Sequence, residues 1–157
     1  MSLRLFIAIP VPEAIAARLM TLEADVPGAA WRLPEHFHLT LRFLGEIDEA
    51  RARDVDDELG RIVAAPFEIA LAGAGSFGGK EPTALWAGVD APPDLARLAA
   101  SCESAVRRAG LAPEPRRFKP HVDSLGLSLP QWRVIRALAE NDRLPATELA
   151  DKCAVLP

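Results

Sequence analysis

The sequence predicts one domain, or one domain with an appendage, that mixes strands and helices and is of the α/β or α+β class. Half of its 157 residues are hydrophobic and one quarter are charged, which is enough to bury one core. Short apolar runs that suit strands alternate along the chain with segments whose apolar residues recur at helical spacing. This interleaved order is typical of mixed folds.

The first part of the chain predicts two strands and two helices. A strand is predicted over 3–10, where an apolar run ends at proline, and a helix with one apolar face over 13–26. A second strand is predicted over 36–47. Asp48 is a suitable N-cap for the amphipathic helix that follows, whose apolar face extends to Val63.

The middle of the chain predicts three strands and one helix. Strands over 67–72 and 83–89 are joined by a glycine-rich stretch, 73–79, which indicates a hairpin loop. A helix over 95–109 ends before a glycine, and a strand over 117–125 follows.

The pattern changes towards the C-terminus. Two amphipathic helices are predicted over 130–140 and 145–155, with no strand between them. We therefore divide the chain into a domain over 1–124 and a helical hairpin over 125–157.

Composition excludes several classes of function. The formal net charge of -4 argues against non-specific coating of nucleic acid. The two cysteines, Cys102 and Cys153, are too few for a disulfide framework or a four-cysteine zinc site, and each is predicted to be a buried thiol. No apolar run approaches membrane-spanning length, so a cytoplasmic protein without a membrane partner is expected.

The first group of candidate site residues lies in the second predicted strand. Strand alternation in HLTLR puts His38, Thr40 and Arg42 on one face and the leucines on the other. Thr40 could donate a hydroxyl hydrogen bond to a phosphate, and Arg42 could supply positive charge. His36, nearer the preceding loop, is interpreted as a structural or solvated histidine.

The second group lies in RRFKPHVD, where alternation puts Arg117, Lys119, His121 and Asp123 on one face. Two imidazoles beside a phosphate can perform acid–base catalysis at neutral pH, one taking a proton from water and the other giving one to the leaving oxygen. Lys119 is a further candidate phosphate ligand. This chemistry requires neither a metal ion nor a cofactor.

Other conspicuous residues have structural interpretations. The glycine-rich stretch does not match a P-loop, because Lys80 is followed by Glu81 and no helix is predicted to begin there. Trp31 and Trp86 are expected in the core or in the wall of a cleft.

The same residues resemble a known family. The segment WRLPEHFHLTLRFLGE (31–46) looks like the first signature of the 2H phosphoesterases, and specifically of the bacterial RNA 2′,3′-cyclic phosphodiesterases, also called 2′-5′ RNA ligases. The opening LRLFIAIPVP, the GSFGG loop with ALWAGVD, and the segment RRFKPHV fit that family in order. The resemblance covers residues 1–122.

The resemblance implies an α+β fold of two lobes, in which antiparallel sheets with flanking helices form a cleft between two His-x-Thr motifs. It implies metal-independent hydrolysis of 2′,3′-cyclic phosphates to 2′-phosphates, with 2′-5′ ligation as a possible reverse activity. It also implies that His38 and His121 are the catalytic pair and that Thr40 completes the first motif. We expect His121 to activate water as the base and His38 to protonate the departing 3′ oxygen.

The sequence departs from the family pattern at two places. Asp123 stands where the second motif should carry threonine or serine, so a negatively charged acceptor replaces a hydroxyl donor beside the expected phosphate. The expected helix and strands after His121 are not apparent, so the second lobe is predicted to be incomplete. Instead, 125–157 resembles the first part of a MarR-type winged-helix regulator.

Three interpretations of function remain open at this point. The first is a cyclic phosphodiesterase acting on RNA ends or nucleoside 2′,3′-cyclic phosphates. The second is a catalytically impaired module, or a gene-fusion product, that binds phosphate or RNA ends without turnover. The third is a DNA-binding regulator, against which the missing recognition helix and the net charge argue.

Overall fold

The computed structural model describes residues 2–20, 33–77, 84–123, 133–136 and 154–155. The strands are β1 (Ser2–Pro10), β2 (His38–Asp48), β3 (Ala70–Phe77), β4 (Ala84–Asp90), β5 (His121–Asp123), β6 (Arg133–Arg136) and β7 (Ala154–Val155). The helices are α1 (Glu13–Met20), α2 (Glu49–Leu59) and α3 (Pro93–Arg108), with a 3-10 turn over Pro34–His36. The strands form one sheet in the order β3-β4-β5-β2-β1-β6-β7, antiparallel except between β1 and β6. The predicted α+β class is confirmed.

The start of α2 is formed as predicted, but its end is not. The Asp48 carboxylate accepts a hydrogen bond of 2.8 Å from the backbone N–H of Arg51, which satisfies one of the donors at the helix start. The helix ends at Leu59, before Gly60, a residue of low helix propensity. Val63 is therefore exposed and takes no part in the apolar face. In the described part of the chain, no helix is long and apolar enough to span a membrane.

One face of the sheet packs against α2 and α3 to form the core. The core members of β1 are Leu3, Leu5 and Ile7, those of β2 are Leu39, Leu41 and Leu44, and α3 supplies a continuous apolar face. These α3 residues are Leu95, Leu98, Ala99, Cys102, Ala105 and Val106. Burying each large side chain contributes about 1.5–3 kcal/mol, so this packing fixes which face of the central strands is left for polar residues. Cys102 is a buried thiol, as predicted, whereas Cys153 lies outside the described residues.

The glycine-rich stretch, predicted to be a hairpin loop, belongs largely to β3. Gly75 pairs with Trp86 of the neighbouring strand, and a Cβ at Gly75 would lie 2.2 Å from an indole carbon. Gly73, at a register shift between β3 and β4, has a φ of 73° that favours glycine. Glycine here makes room for an aromatic ring, although in the sequence alone it resembles a turn signal.

The helix predicted over 130–140 is wrong at Arg133–Arg136, which forms β6 beside β1. Val134 and Ile135 are β-branched residues that suit a strand, and β1 offers backbone groups at its otherwise open edge. Pairing with a distant strand has overridden the local helical spacing.

The helix predicted over 145–155 is likewise wrong at Ala154–Val155, which pairs antiparallel with β6. The remainder of 125–157 lies outside the described residues. The division at residue 124 and the resemblance of the tail to a regulator therefore stay predictions.

Candidate active site

The strands that carry His38 and His121 are hydrogen-bonded neighbours. β2 and β5 are antiparallel, with His38 opposite Asp123. Extending this antiparallel register by one more pair along β2 places Thr40 opposite His121. Residues in register lie on the same face of a sheet, and the leucine and valine that alternate with them are buried in the core. The structure therefore brings both histidines and Thr40 to the face away from the helices.

The same local hydrogen bond orients both imidazoles. Nδ1 of His38 lies 2.6 Å from the carbonyl oxygen of His36, and Nδ1 of His121 lies 2.6 Å from that of Lys119. A carbonyl oxygen can only accept, so Nδ1 carries a proton in both rings. Nε2 is then the atom that takes a proton as a base or gives one as an acid.

The positions of the two histidines in the sheet suit a ligand the size of one phosphate. The two histidines are diagonal neighbours across β2 and β5, a relation that separates positions by about 7–8 Å. Two groups at this distance can act on opposite oxygens of the same phosphorus atom. One Nε2 can face the attacking oxygen while the other faces the leaving oxygen.

Aromatic side chains flank the pair on both sides. The ring of Phe6, from β1, lies 4.6 Å from that of His38 at a tilt of 32°. The indole of Trp86, from β4, approaches His121 edge-on at 6.1 Å. Trp86 thus lies beside His121 and outside the core cluster, and its place in the wall of a cleft stays a prediction. Phe6 was missed, although its alternation with core residues of β1 could have placed it on this face.

Thr40 is a buried polar residue on a central strand. Its side chain is 8% exposed, and Oγ1 has no hydrogen-bond partner in the described part of the chain. It lies between Ala8 of β1 and the position of His121 in β5. A buried hydroxyl without a partner costs about 1–3 kcal/mol, and a ligand oxygen bound between the histidines would satisfy it.

Arg42 does not share the face of His38, so the expectation from strict alternation is wrong. The register of β2 against β1 shifts after Thr40, and Arg42 lies opposite Ile7, a fully buried core residue. The Arg42 guanidinium donates to the carboxylate of Glu103 in α3, on the helix side of the sheet. A β-bulge thus turns Arg42 away from the histidines, and its assignment as a phosphate ligand is corrected.

Two further predicted residues lie beside His121. Lys119 is exposed, and its carbonyl oxygen orients the His121 ring. Asp123, the last described residue of β5, is in register with both His38 and Trp86. Of the strand predicted over 117–125, the described residues before His121 are irregular. The roles of Lys119 as a phosphate ligand and of Asp123 as a replaced motif residue stay predictions.

The chemistry available on this face is proton transfer to and from a bound anion. Two imidazoles and one hydroxyl converge there, and each can exchange a proton or a hydrogen bond with a phosphoryl group. In the described ranges, no three His, Cys, Asp or Glu side chains are grouped as metal ligands.

Comparison with known proteins agrees with this geometry. The family model described as LigT like Phosphoesterase matches residues 9–86. The RNA 2′,3′-cyclic phosphodiesterase of Archaeoglobus fulgidus is 30% identical over 124 residues, which cover 76% of this chain and 70% of that protein. The protein of the same name from Escherichia coli is 32% identical over 126 residues, covering 78% and 70%. Coverage is shorter for the relative from Aeropyrum pernix, where 90 residues at 37% identity span 51% of its length.

Solved structures give the same result at the level of the fold. E. coli LigT in complex with 3′-AMP matches with a TM-score of 0.69 and 29% identity, covering 92% of this chain and 79% of that one. A crystal structure described as a phosphoesterase matches with a TM-score of 0.70 and 28% identity, covering 83% and 79%.

Proposed function

Because this chain belongs to the LigT-like phosphoesterases, we propose that it hydrolyses 2′,3′-cyclic phosphates, at RNA ends or on nucleosides, to 2′-phosphates. The observation that carries this proposal is the pair of similarly oriented imidazoles on one sheet face, with the Thr40 hydroxyl, unpartnered among the described residues, beside them. The names of the relatives from A. fulgidus and E. coli support the substrate class.

The proposed reaction needs one proton accepted and one donated. Nε2 of neutral His121 takes a proton from water while the water oxygen forms a bond to phosphorus. The bond between phosphorus and the 3′ oxygen breaks, and Nε2 of protonated His38 gives its proton to that oxygen. The products are a 2′-phosphate and a 3′ hydroxyl, and exchange with solvent restores both rings. A 5′ hydroxyl in place of water would give a 2′-5′ linkage.

Thr40 is the proposed hydrogen-bond donor to the phosphoryl oxygens. Its Oγ1 is already buried and held on a central strand, so little reorganisation accompanies binding. Lys119 is exposed two residues before His121, where its ammonium would attract an anionic substrate. This supports keeping Lys119 among the proposed phosphate ligands.

A second candidate function is phosphate or RNA-end binding without turnover. The observation that favours it is Asp123, which is in register with His38 at the position where the second motif should have a hydroxyl residue. A carboxylate at this position supplies no donor and repels the phosphate.

The test is hydrolysis of 2′,3′-cyclic AMP in EDTA, with 2′-AMP and 3′-AMP separated by chromatography. We expect 2′-AMP from the wild type, 3′-AMP at background, and no product from His38→Ala. Binding of 2′-AMP by calorimetry without turnover would select the second candidate. A folded protein with neither binding nor turnover would contradict both.

A further inference from the structure

The Arg42 guanidinium is the centre of a buried polar cluster behind the proposed site. The residue is 8% exposed, and burying a guanidinium is unfavourable unless its donors are satisfied. Nε donates to a Glu103 oxygen at 2.5 Å, Nη1 to a Glu114 oxygen at 3.3 Å, and Nη2 to the carbonyl oxygen of Ala112 at 2.7 Å. Nη1 also bonds the carbonyl of Phe43.

The two carboxylates extend the cluster along the chain. Glu103 of α3 also accepts from the backbone N–H of Glu114 at 3.2 Å. Glu114 in turn accepts from Nε of Arg116 at 2.8 Å. Hydrogen bonding from Arg116 lowers the pKa of Glu114, and the charge of Arg42 adds to this effect. Acidic and basic groups therefore alternate through the cluster.

The cluster holds the connection that leads to the second histidine. Residues 109–120 join α3 to β5, contain neither helix nor strand, and end directly before His121. In the described residues, β5 pairs with β2 and β4 over His121–Asp123, and the connection before it makes no sheet pairing that could hold it in place. Ala112 and Glu114, the two points bound by Arg42, lie in this connection.

We propose that Arg42 is a positioning residue for His121. It lies on β2, the strand that also carries His38, and it binds the segment that carries His121 on the face opposite the imidazoles. One side chain therefore links the two halves of the catalytic pair. The kinetic part of this inference rests on the proposed function, whereas its structural part does not.

The expected kinetic effect is on turnover more than on binding. A shift of about 1 Å in a catalytic group can cost about 100-fold in rate, because both imidazoles must reach the same phosphate. Arg42→Met should therefore lower kcat for 2′,3′-cyclic AMP about 10- to 100-fold. KM should stay within about threefold, because Arg42 lies on the other face from the bound phosphate.

The matched control is Arg97→Met. Arg97 is on α3, is 70% exposed and pairs with Asp94, so this variant also removes an arginine from an ion pair. We expect its kcat and KM to equal those of the wild type. Arg42→Lys keeps the charge but lacks the planar fork that binds four acceptors, so its kcat should be intermediate.

The readout that does not depend on activity is the NMR spectrum of the three histidine rings. Arg42→Met should shift the ring nitrogen signals of His121 and leave those of His36 in place. If the wild type has no hydrolytic activity, the proposed function fails, and the ring spectra alone decide the positioning role. If Arg42→Met does not fold, Arg42→Lys is judged by the same two readouts. Unchanged kcat and unchanged His121 signals in the folded variant would overturn the inference.

Discussion

The two histidine motifs share their local geometry and differ in how the fold supports them. In each motif, Nδ1 donates to a carbonyl oxygen two residues earlier, at the same distance of 2.6 Å. His38 begins an eleven-residue strand that pairs with β1 along most of its length and with β5 at His38 and Leu39. His121 begins β5, described over His121–Asp123, which follows an irregular connection held by side chains.

This difference indicates that ring orientation and ring position have separate causes. The repeated hydrogen bond orients each imidazole and requires only extended backbone around the histidine. Position is set for His38 by the sheet, and for His121 partly by the ion-pair cluster around Arg42. We expect substitutions around His38 to alter its position through the core, and substitutions around His121 to alter its position through polar contacts.

The largest expected effect is loss of either imidazole. His38→Gln and His121→Gln should each lower kcat by about 10²–10⁴-fold, the usual contribution of one general acid or base. The double variant should be little worse than either single variant, because the two residues act in one step. Single-turnover hydrolysis of 2′,3′-cyclic AMP measures this, with His36→Gln as the control that keeps its carbonyl. Equal, additive losses would show that the histidines act independently.

Thr40→Val separates function from stability in the first motif, which lies on the long strand β2. Loss of the hydroxyl should lower kcat/KM about 10²-fold, the usual cost of one preorganised donor. Stability should not fall, because an apolar group of similar shape replaces a buried hydroxyl that has no hydrogen-bond partner among the described residues. Hydrolysis of 2′,3′-cyclic AMP measures the fall in kcat/KM, and urea unfolding of the same variant measures its stability. A destabilised variant with full activity would show that the hydroxyl serves the fold.

The sequence predicted the features that depend on residues close together in the chain better than those that depend on distant residues. The N-cap at Asp48 and the glycine end of α3 were predicted because each is a short-range property of the backbone. The pairing of His38 with the second motif followed from family resemblance, since no local pattern shows which strands are neighbours.

Apart from the end of α2, which Gly60 sets locally, the errors involve partners distant in sequence. The face of Arg42 depends on a bulge defined by pairing with β1, which alternation along one strand cannot show. The role of Gly75 depends on Trp86 in the next strand. The strand at Arg133–Arg136 depends on the edge of β1. Each of these required a tertiary contact to override a local preference.

Gly88→Ala tests how tightly the second motif is held from the β4 side. Gly88 is in register with His121, and a Cβ there would lie 2.1 Å from the carbonyl oxygen of Ala72. Because that atom belongs to the backbone, β3 or β4 must move, at a cost of about 1–3 kcal/mol in the free energy of unfolding. Gly60→Ala is the matched control, since its nearest atoms are 3.6 and 3.7 Å away. Equal unfolding midpoints for the two variants would contradict this account.

Asp123→Thr makes the second motif more similar to the first, and we expect it to raise activity. It replaces a negatively charged residue in register with His38 by a hydroxyl residue like the one in the first motif. We expect kcat/KM to rise about tenfold, because repulsion of the phosphate is removed and a donor is added. Asp123→Asn separates the two contributions, since it removes the charge without adding a hydroxyl. Lower activity in both variants would show that the carboxylate contributes to catalysis.

The smallest expected effect is a loss of stability at acid pH. It should appear first in the connection that leads to the second motif. The hydrogen bond from Arg116 lowers the pKa of Glu114 below its ordinary value of 4.5, so Glu114 binds a proton more weakly in the folded state. Its stabilising contribution is therefore complete above about pH 4.5 and is lost as the pH falls through the lowered pKa. The contribution is on the order of 1 kcal/mol or less, because Arg116 is largely exposed and screened by solvent. As the pH is lowered from 6 to 3, hydrogen exchange in 109–120 should accelerate at a higher pH than exchange in β2. In Glu114→Gln, this acceleration in 109–120 should be smaller. Simultaneous opening of both regions would show that the polar cluster does not support the second motif separately.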